Sequence, residues 1–430
     1  MNGICKSSVM NPRSKSDRFD ILIIGGGAAG LLAAVRLCGT GKRVLVLEKM
    51  RQAGLKLRIT GKGRCNLTNT LQINDFLSHC SNGESNLRNA VSFFSNQDTI
   101  NCFENLGLPL IEERGHRVFP RSGKSLDVFL ALVRKIEASD NVNLICGKGV
   151  EKILIENNTV KGVRCFDGEI FRTDKVLLCC GGESYPATGS DGDGIRLAHA
   201  AGHKITPTMP ALVGIRTKIA HPASLQNYTV KNVQVSILND KGEILESDFG
   251  DISLDEYGIA GPVILRLSRK IAERLYRKEK MLVSVDIKPK LSEEKLKKEI
   301  SRVLQERVGQ NSDNILRAWL PEPLVRDYKF WLKKQKKNGE RQEGRLNNAD
   351  AILRYLKYNK DEIIGDMGWY EAVVTKGGVD LSQVDCRNMQ SKIVKGLYFA
   401  GEVLDFDGDT GGFNLQIAFS TAALACRNMQ

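Results

Sequence analysis

The sequence predicts an α/β protein in which a parallel-sheet domain is built from both ends of the chain and interrupted by a second domain. Two observations carry this prediction. Near each end, at residues 19–37 and 396–425, an apolar strand leads through a glycine-rich turn into a helix. From about residue 205 the pattern changes to alternating apolar and polar residues. Strands joined by helices favour a parallel sheet, whereas strict alternation favours antiparallel strands.

The opening segment is predicted to form one strand–helix–strand unit. Residues 19–24 (FDILII) are an apolar run, the turn GGGAAG follows, and a helix leads to a second apolar run at residues 43–48 (RVLVLE). A helical connection places the two strands parallel in one sheet. Further strands are predicted at residues 142–146 and 175–180, with a hairpin at residues 151–166 between them.

The central segment has a different pattern. Residues 230–238 and 281–287 alternate, which predicts an antiparallel sheet or barrel. Ser292 can cap a following helix, whose apolar face would carry Leu296, Ile300, Val303, Leu304 and Val308. Strand-like residues return at 369–375, and residues 396–400 form a last strand before the C-terminal helix.

Composition is typical of a globular cytoplasmic protein. The 430 residues are 42% hydrophobic, enough for a substantial core. No apolar run approaches the ~20 residues that span a bilayer, and residues 1–18 lack the apolar centre of a signal peptide. Eleven cysteines occur without a CxxC pair, which is typical of thiols kept reduced. We therefore expect a cytoplasmic location and no membrane partner.

The net charge of +13 raises the question of a nucleic-acid partner. Much of the excess lies at residues 266–280, predicted to form one amphipathic helix, and at residues 333–345, predicted to form a solvated loop. Neither stretch is interleaved with aromatic residues, as a platform for stacking single-stranded bases would be. The pattern does not favour nucleic acid and leaves a small molecule as the expected partner.

The turn after the first strand carries a dinucleotide fingerprint. Gly25, Gly27 and Gly30 stand at G-x-G-x-x-G between a strand and a helix. The first glycine allows a tight turn, the second lets the backbone approach a pyrophosphate, and the third allows close helix packing. Glu48 ends the second strand 18 residues after Gly30, near the roughly 20 expected for the acid that binds a ribose hydroxyl. The sequence therefore predicts a Rossmann-type nucleotide domain.

We divide the chain accordingly into four segments. A disordered leader is expected at residues 1–18, and the nucleotide domain would comprise residues 19–205 and 366–430. The insert at residues 206–365 has an ordinary domain size.

The fingerprint alone does not distinguish NAD from FAD, but the C-terminal segment does. Residues 396–425 join a strand, an acidic turn with Glu402, the pair Gly411 and Gly412, and a helix that begins near Asn414. A helix N-terminus directed at a flavin would stabilise negative charge on the reduced ring. A dehydrogenase that binds only NAD does not need this element, so the sequence predicts FAD.

Four segments resemble one bacterial flavoprotein family. They are ITGKGRCNLTN at residues 59–69, GGESYPATGSDGDGIRLAHAAGH at 181–203, VTKGGVDLSQVD at 374–385, and residues 396–425. The family is that of the aminoacetone oxidase-like, bile-acid-operon-type FAD enzymes, which are related to the glutathione reductase fold. The resemblance implies a Rossmann-type FAD-binding domain interrupted by an inserted β-barrel and a small helical bundle. We place these at about residues 206–290 and 291–365.

The resemblance also implies the contacts of the cofactor. The pyrophosphate would contact Gly25, Gly27, Ala28, Ala29 and Gly30, and the ribose Glu48 and Lys49. Four residues would lie near the phosphates or the ring, namely Gly61, Arg64, Cys65 and Asn66. Val150 would lie by the adenine. The site would be closed by Gly182, Gly401, Glu402, Asn414, Leu415 and Gln416. One departure from the family, SLDEY at residues 253–257, concerns the substrate pocket rather than the cofactor site.

The predicted activity is hydride transfer between FAD and an organic small molecule, with the chemistry supplied by the flavin. Amine oxidation by O₂ and NAD(P)H-linked reduction of an unsaturated substrate both fit. No second nicotinamide fingerprint is visible, so NAD(P)H would bind only transiently. Candidates for a chemical role are Arg64, Cys65, Thr375 and Glu402. The alternative is a flavin-dependent RNA-modifying or nucleic-acid-binding protein that uses the basic residues of the insert.

Two other patterns do not support a site. His199 and His203 have the spacing of zinc ligands on a helix, but Gly202 is expected to end that helix and no third ligand is indicated. Residues 121–125 (RSGKS) imitate the end of a phosphate loop, but Val118 stands where the first glycine is required. We therefore predict no metal site.

Overall fold

The structure is a computed structural model that describes residues 18–337 and 348–430. The predicted leader lies outside the described residues except for Arg18, which pairs with Asp174. The described chain forms two units. The first comprises the residues up to Pro210 together with Val373–Gln430, and the second is Ala211–Ala372.

The strands and helices of the first unit that precede the insert are, in chain order, β1 (Ile21–Ile24), α1 (Ala28–Leu37), β2 (Val44–Glu48), α2 (Leu55–Ile59), β3 (Thr68–Asn69), α3 (Ile73–Ser78), α4 (Arg88–Phe93), α5 (Asn96–Asn105), β4 (Leu110–Glu113), β5 (Arg117–Pro120), α6 (Ser125–Glu137), β6 (Val142–Cys146), β7 (Val150–Glu156), β8 (Thr159–Cys165), β9 (Ile170–Arg172), β10 (Val176–Leu178), α7 (Asp193–Ala200) and β11 (Ile205–Ala211).

The elements of the second unit are β12 (Ile215–Thr217), β13 (Tyr228–Asn239), β14 (Ile244–Asp255), β15 (Gly258–Ala260), α8 (Pro262–Tyr276), β16 (Met281–Asp286), α9 (Glu293–Glu306), α10 (Ser312–Leu316), α11 (Glu322–Lys337), α12 (Ala349–Lys357) and β17 (Asn359–Asp366). The chain then returns to the first unit with β18 (Val374–Val379), β19 (Val384–Asp385), β20 (Gln390–Ser391), β21 (Leu397–Phe399) and α13 (Phe413–Met429).

The first unit is organised around a seven-stranded sheet in the order β19-β20-β21-β10-β1-β2-β6. The strands from β21 to β6 are parallel. All four residues of β1 are buried, as expected for a parallel strand covered on both faces. Strands β10 and β21 lie on either side of the insert in sequence but pair directly. The predicted fold class, a Rossmann-type domain with an insert, is therefore confirmed.

The second unit is a closed six-stranded antiparallel barrel in the order β12-β15-β14-β13-β16-β17. Val233, Val235 and Ile237 of β13 are buried at every second position, as the alternating pattern predicts. Helices α9 to α12 share one apolar core with the barrel. The barrel is completed by β17, which lies in the segment assigned to the helical bundle from the sequence.

Three local predictions differ from the structure. Strand β18 begins at Val374, so most of residues 369–375 precede it. Val308, predicted on the apolar face of α9, lies beyond the helix end at Glu306 and is 82% exposed. Residues 333–337 continue α11 instead of forming a loop. The rest of that predicted loop lies outside the described residues.

Two further expectations concern cysteines and membranes. Nine described cysteines are free thiols, whereas Cys146 is disulfide-bonded, which departs from the expectation that every thiol is reduced. Within the described ranges, no helix combines the length and the apolar composition that a bilayer span requires.

Candidate functional site

The turn between β1 and α1 has the geometry of a phosphate-binding turn. Gly25 has a φ of 103°, which residues with a Cβ rarely adopt. A Cβ on Gly30 would lie 1.9 Å from the carbonyl oxygen of Gly25, so only glycine allows α1 to pack this closely. A Cβ on Gly27 would meet no atom within 4 Å. The space beside Gly27 is therefore open to a ligand.

This space belongs to a cavity at the carboxyl edge of the parallel sheet. Its empty volume is about 1060 Å³, including the part open to solvent. Open α/β sheets bind their ligands at this edge. The predicted cofactor residues that line the cavity are Gly25, Gly27, Ala28, Ala29, Glu48, Gly401, Glu402, Asn414 and Leu415.

Glu48 is held at the cavity wall by two backbone groups. Its Oε2 accepts a hydrogen bond from the Gly26 N–H at 2.7 Å, and its Oε1 accepts one from the Met50 N–H at 2.8 Å. Burial raises the pKa of Glu48, and the two N–H groups oppose this increase. Each carboxylate oxygen retains a lone pair, so Glu48 can still accept hydrogen bonds from the hydroxyls of a ribose.

Lys49 and Val150 line a smaller adjacent cavity, which shares Gly25 and Glu48 with the main one. The Lys49 ammonium pairs with the carboxylates of Asp191 and Asp193, so its charge is compensated within the protein.

A second polar cluster lies in the part of the cavity formed by α2 and the loop after β21. Oε2 of Glu402 lies 2.6 Å from Nζ of Lys56. Oε1 of Glu402 accepts hydrogen bonds from the Thr375 N–H at 2.6 Å and from the Ser184 hydroxyl at 2.9 Å. Lys56 also donates to Oγ of Ser184 at 2.5 Å. Lys56 and Glu402 both line the cavity.

Comparison with known proteins places this site in a family. The model of the HI0933-like protein Rossmann domain matches residues 19–428. The chain belongs to the HI0933-like family. This family has the FAD-binding Rossmann fold, which implies FAD, and the protein is an FAD-dependent oxidoreductase. The resemblance seen in the sequence is confirmed at this level, and the aminoacetone oxidase-like relation within it stays a prediction.

Two proteins that are similar to this chain have names that describe an activity. A relative in Clostridium scindens, a 3-dehydro-bile acid delta(4,6)-reductase, is 32% identical over 410 residues, which cover 94% of this chain and 97% of the relative. A relative in Escherichia coli, a ribosomal RNA dihydrouridine synthase, is 25% identical over 412 residues, covering 94% and 96%.

A solved structure shares the fold of the HI0933-like chain. The 3-ketosteroid delta1-dehydrogenase of Sterolibacterium denitrificans superposes with a TM-score of 0.51 at 14% identity, covering 96% of this chain and 99% of that one.

Several residues predicted for the HI0933-like site do not line the cavity. They are Gly30, Lys49, Gly61, Arg64, Cys65, Asn66, Val150, Gly182, Thr375 and Gln416. Arg64 pairs with Glu113 and lies over the ring of Phe119, 4.5 Å from its centroid. Cys65 is fully buried, and burial raises the pKa of its thiol. Oδ1 of Asn66 is buried without a hydrogen-bond partner.

Three of these residues make contacts within the protein instead of lining the cavity, namely Thr375, Gly182 and Gln416. Oγ1 of Thr375 accepts hydrogen bonds from the N–H groups of Glu183 and Ser184. A Cβ on Gly182 would lie 2.2 Å from the same oxygen, so glycine is required for this contact. The amide of Gln416 donates to the Phe94 carbonyl and accepts from the Thr68 hydroxyl.

Other lining residues were missed from the sequence. They are Gln52, Gly54, Leu55, Lys56, Leu57, Thr60, Cys179, Cys180, Gly181, Thr188, Gly189, Ser190, Val373, Val374, Phe406, Ile417 and Ala418. The first six follow β2 directly, and a position after a parallel strand was the signal that could have identified them. Burial raises the pKa of the Cys180 thiol to about 12, so this lining thiol is neutral at physiological pH.

Proposed function

We propose that the protein reduces a carbon–carbon double bond conjugated to a carbonyl group, with electrons that NAD(P)H delivers through FAD. One observation carries the proposal. The names of the two relatives describe different molecules but one reaction type, since delta(4,6) reduction of a 3-dehydro-bile acid and formation of dihydrouridine both saturate such a bond. The reaction belongs to the second of the two activities that the sequence left open.

The cavity fits the cofactor. The space beside Gly27 would take the pyrophosphate, Glu48 the ribose, and the cluster of Lys56 and Glu402 the ring. FAD held there would supply the chemistry of hydride transfer from NAD(P)H to the conjugated double bond. The chain binds and orients these groups and excludes water from them.

A small molecule is the proposed substrate. RNA is the second candidate, because of the name of the Escherichia coli relative and the net charge of +13. The basic helix α8 does not favour RNA, since several of its cations already have acidic partners. These pairs are Arg266 with Asp248, Lys270 with Glu246 and Arg274 with Glu279.

The test is an anaerobic substrate screen with the purified protein. Chromatography of the heat-released cofactor should show FAD. With NADH or NADPH present, a 3-oxo-4,6-diene bile acid should gain two hydrogen atoms by mass spectrometry, while uridines of ribosomal RNA stay unchanged. Reduction of uridine alone, with RNA binding that weakens steeply as salt rises, would support the second candidate. Release of FMN, or of no flavin, would exclude both.

A further inference from the structure

The order of the sheet indicates where the ring of a bound flavin would lie. Glu48 ends β2 on one side of β1, whereas Glu402 follows β21, which is two strands away on the other side. With neighbouring strands about 4.8 Å apart, the ends of β2 and β21 are separated by roughly 14 Å along the carboxyl edge. A dinucleotide with its ribose at Glu48 and its pyrophosphate at Gly27 therefore extends its other half towards Glu402.

Lys56 is fixed at that end of the cavity. Its ammonium contacts Oε2 of Glu402 at 2.6 Å and Oγ of Ser184 at 2.5 Å. Glu402 is itself held by the Thr375 N–H at 2.6 Å. The side chains of Lys56 and Glu402 are 27% and 21% exposed. A lysine ammonium has three donors, so these two contacts leave one for a ligand.

The network differs from an ordinary surface ion pair. Its members come from α2, from the loop after β10 and from the loop after β21, so three separate segments position one ammonium on a cavity wall. An ordinary exposed ion pair does not have this number of directed hydrogen bonds around one charge. The geometry is that of a preorganised positive charge.

We propose that Lys56 stabilises the reduced flavin electrostatically, and that Glu402 and Ser184 are its positioning residues. The inference rests on the proposed function only in that FAD binds in this cavity. When a hydride passes from the nicotinamide to the ring, the nicotinamide gains a positive charge and the ring gains one negative charge. The fixed ammonium of Lys56, whose side chain is only 27% exposed, lowers the free energy of that negative charge.

The test is the midpoint potential of the bound FAD, measured by titration against reference dyes. Lys56→Met should shift the equilibrium at least tenfold towards the oxidised cofactor, which lowers the potential by about 30 mV for a two-electron couple. Lys56→Arg, which keeps the charge, should restore most of this shift. Lys152→Met removes an exposed lysine of β7 and should leave the potential unchanged.

Glu402→Gln should shift the midpoint potential in the opposite direction to Lys56→Met. It removes a negative charge beside the ring, so the potential should rise, whereas loss of a purely structural ion pair would affect both variants alike. If Lys56→Met binds FAD with the wild-type potential, the inference is overturned while the proposed function stands. If Lys56→Met does not retain FAD, the Glu402→Gln variant provides the test. A midpoint potential that falls or stays unchanged in Glu402→Gln then overturns the inference. Wild-type protein without FAD would instead refute the proposed function.

Discussion

Glu48 has two roles that the sequence could not separate. The spacing from Gly30 predicts a ribose ligand, but the carboxylate also accepts hydrogen bonds from the N–H groups of Gly26 and Met50. Both bonds are made within the protein, so Glu48 is expected to contribute to the stability of the glycine-rich turn as well as to binding.

Replacement of Glu48 by alanine should therefore have two effects. Loss of one or two charge-assisted hydrogen bonds, each about 1.5–3 kcal/mol, should raise the FAD dissociation constant tenfold or more. The apoprotein should also lose about 1–3 kcal/mol, because two N–H groups lose their partner. Titration of apoprotein with FAD and urea unfolding measure the two effects. Equal affinity for mutant and wild type would show that Glu48 is not a cofactor ligand.

The pKa of Glu48 predicts a pH dependence of apoprotein stability. Burial raises this pKa above its usual 4.5, so just above that pH the folded protein retains a proton that the unfolded chain has released. The stabilisation that arises from this raised pKa is fully present below pH 4.5. It is lost as the pH rises through the pKa that Glu48 has in the folded protein. Glu48→Gln does not titrate. The free energy of unfolding of wild type relative to Glu48→Gln should fall across this range, and a constant difference would contradict the assignment.

At the scale of elements, two glycines in the turn between β1 and α1 have different roles. We expect that Gly30 is needed for folding, and that Gly27 is needed for cofactor binding. A Cβ on Gly30 would overlap the Gly25 carbonyl, whereas a Cβ on Gly27 would occupy only the open cavity. The two glycines are part of one sequence motif, but only the structure shows that they act on different properties.

Alanine substitutions at Gly27 and Gly30 form a matched pair. Gly30→Ala should destabilise the apoprotein by several kcal/mol or prevent folding, because backbone atoms must move. Gly27→Ala should leave the urea midpoint of the apoprotein near the wild-type value and weaken FAD binding at least tenfold, since the methyl group takes the place of the pyrophosphate. A Gly27→Ala protein that binds FAD normally would contradict the placement of the phosphates.

The elements that sequence analysis identified depend on local patterns. Strands β1, β2 and β6 are short, mainly apolar runs. Ser292 caps α9 as predicted, with its hydroxyl accepting a hydrogen bond from the Lys295 N–H. What was missed depends on long-range geometry. Strand β17 closes the barrel through pairing with β12 and β16, and Lys56 enters the site through Glu402, which is 346 residues away. Neither relation leaves a periodic signal in the sequence.

At the scale of the whole molecule, the two units have separate apolar cores and the cavity wall belongs to the first unit alone. A ligand stabilises the structure that binds it. FAD should therefore stabilise the first unit directly. The second unit should be stabilised only as far as its unfolding is coupled to that of the first.

The distribution of tryptophan allows this to be measured. All three tryptophans, Trp319, Trp331 and Trp369, lie in the second unit, so tryptophan fluorescence follows that unit, whereas circular dichroism follows both.

Free FAD at 100 times its dissociation constant contributes about 2.7 kcal/mol, which corresponds to a rise in melting temperature of roughly 5–10 °C for a unit of this size. We expect the main circular-dichroism midpoint to rise by this amount and the fluorescence midpoint to move less. Gly27→Ala, which weakens binding, should show a smaller shift in both signals at the same FAD concentration. Equal shifts of the two midpoints in the wild type would show that the units unfold as one cooperative structure.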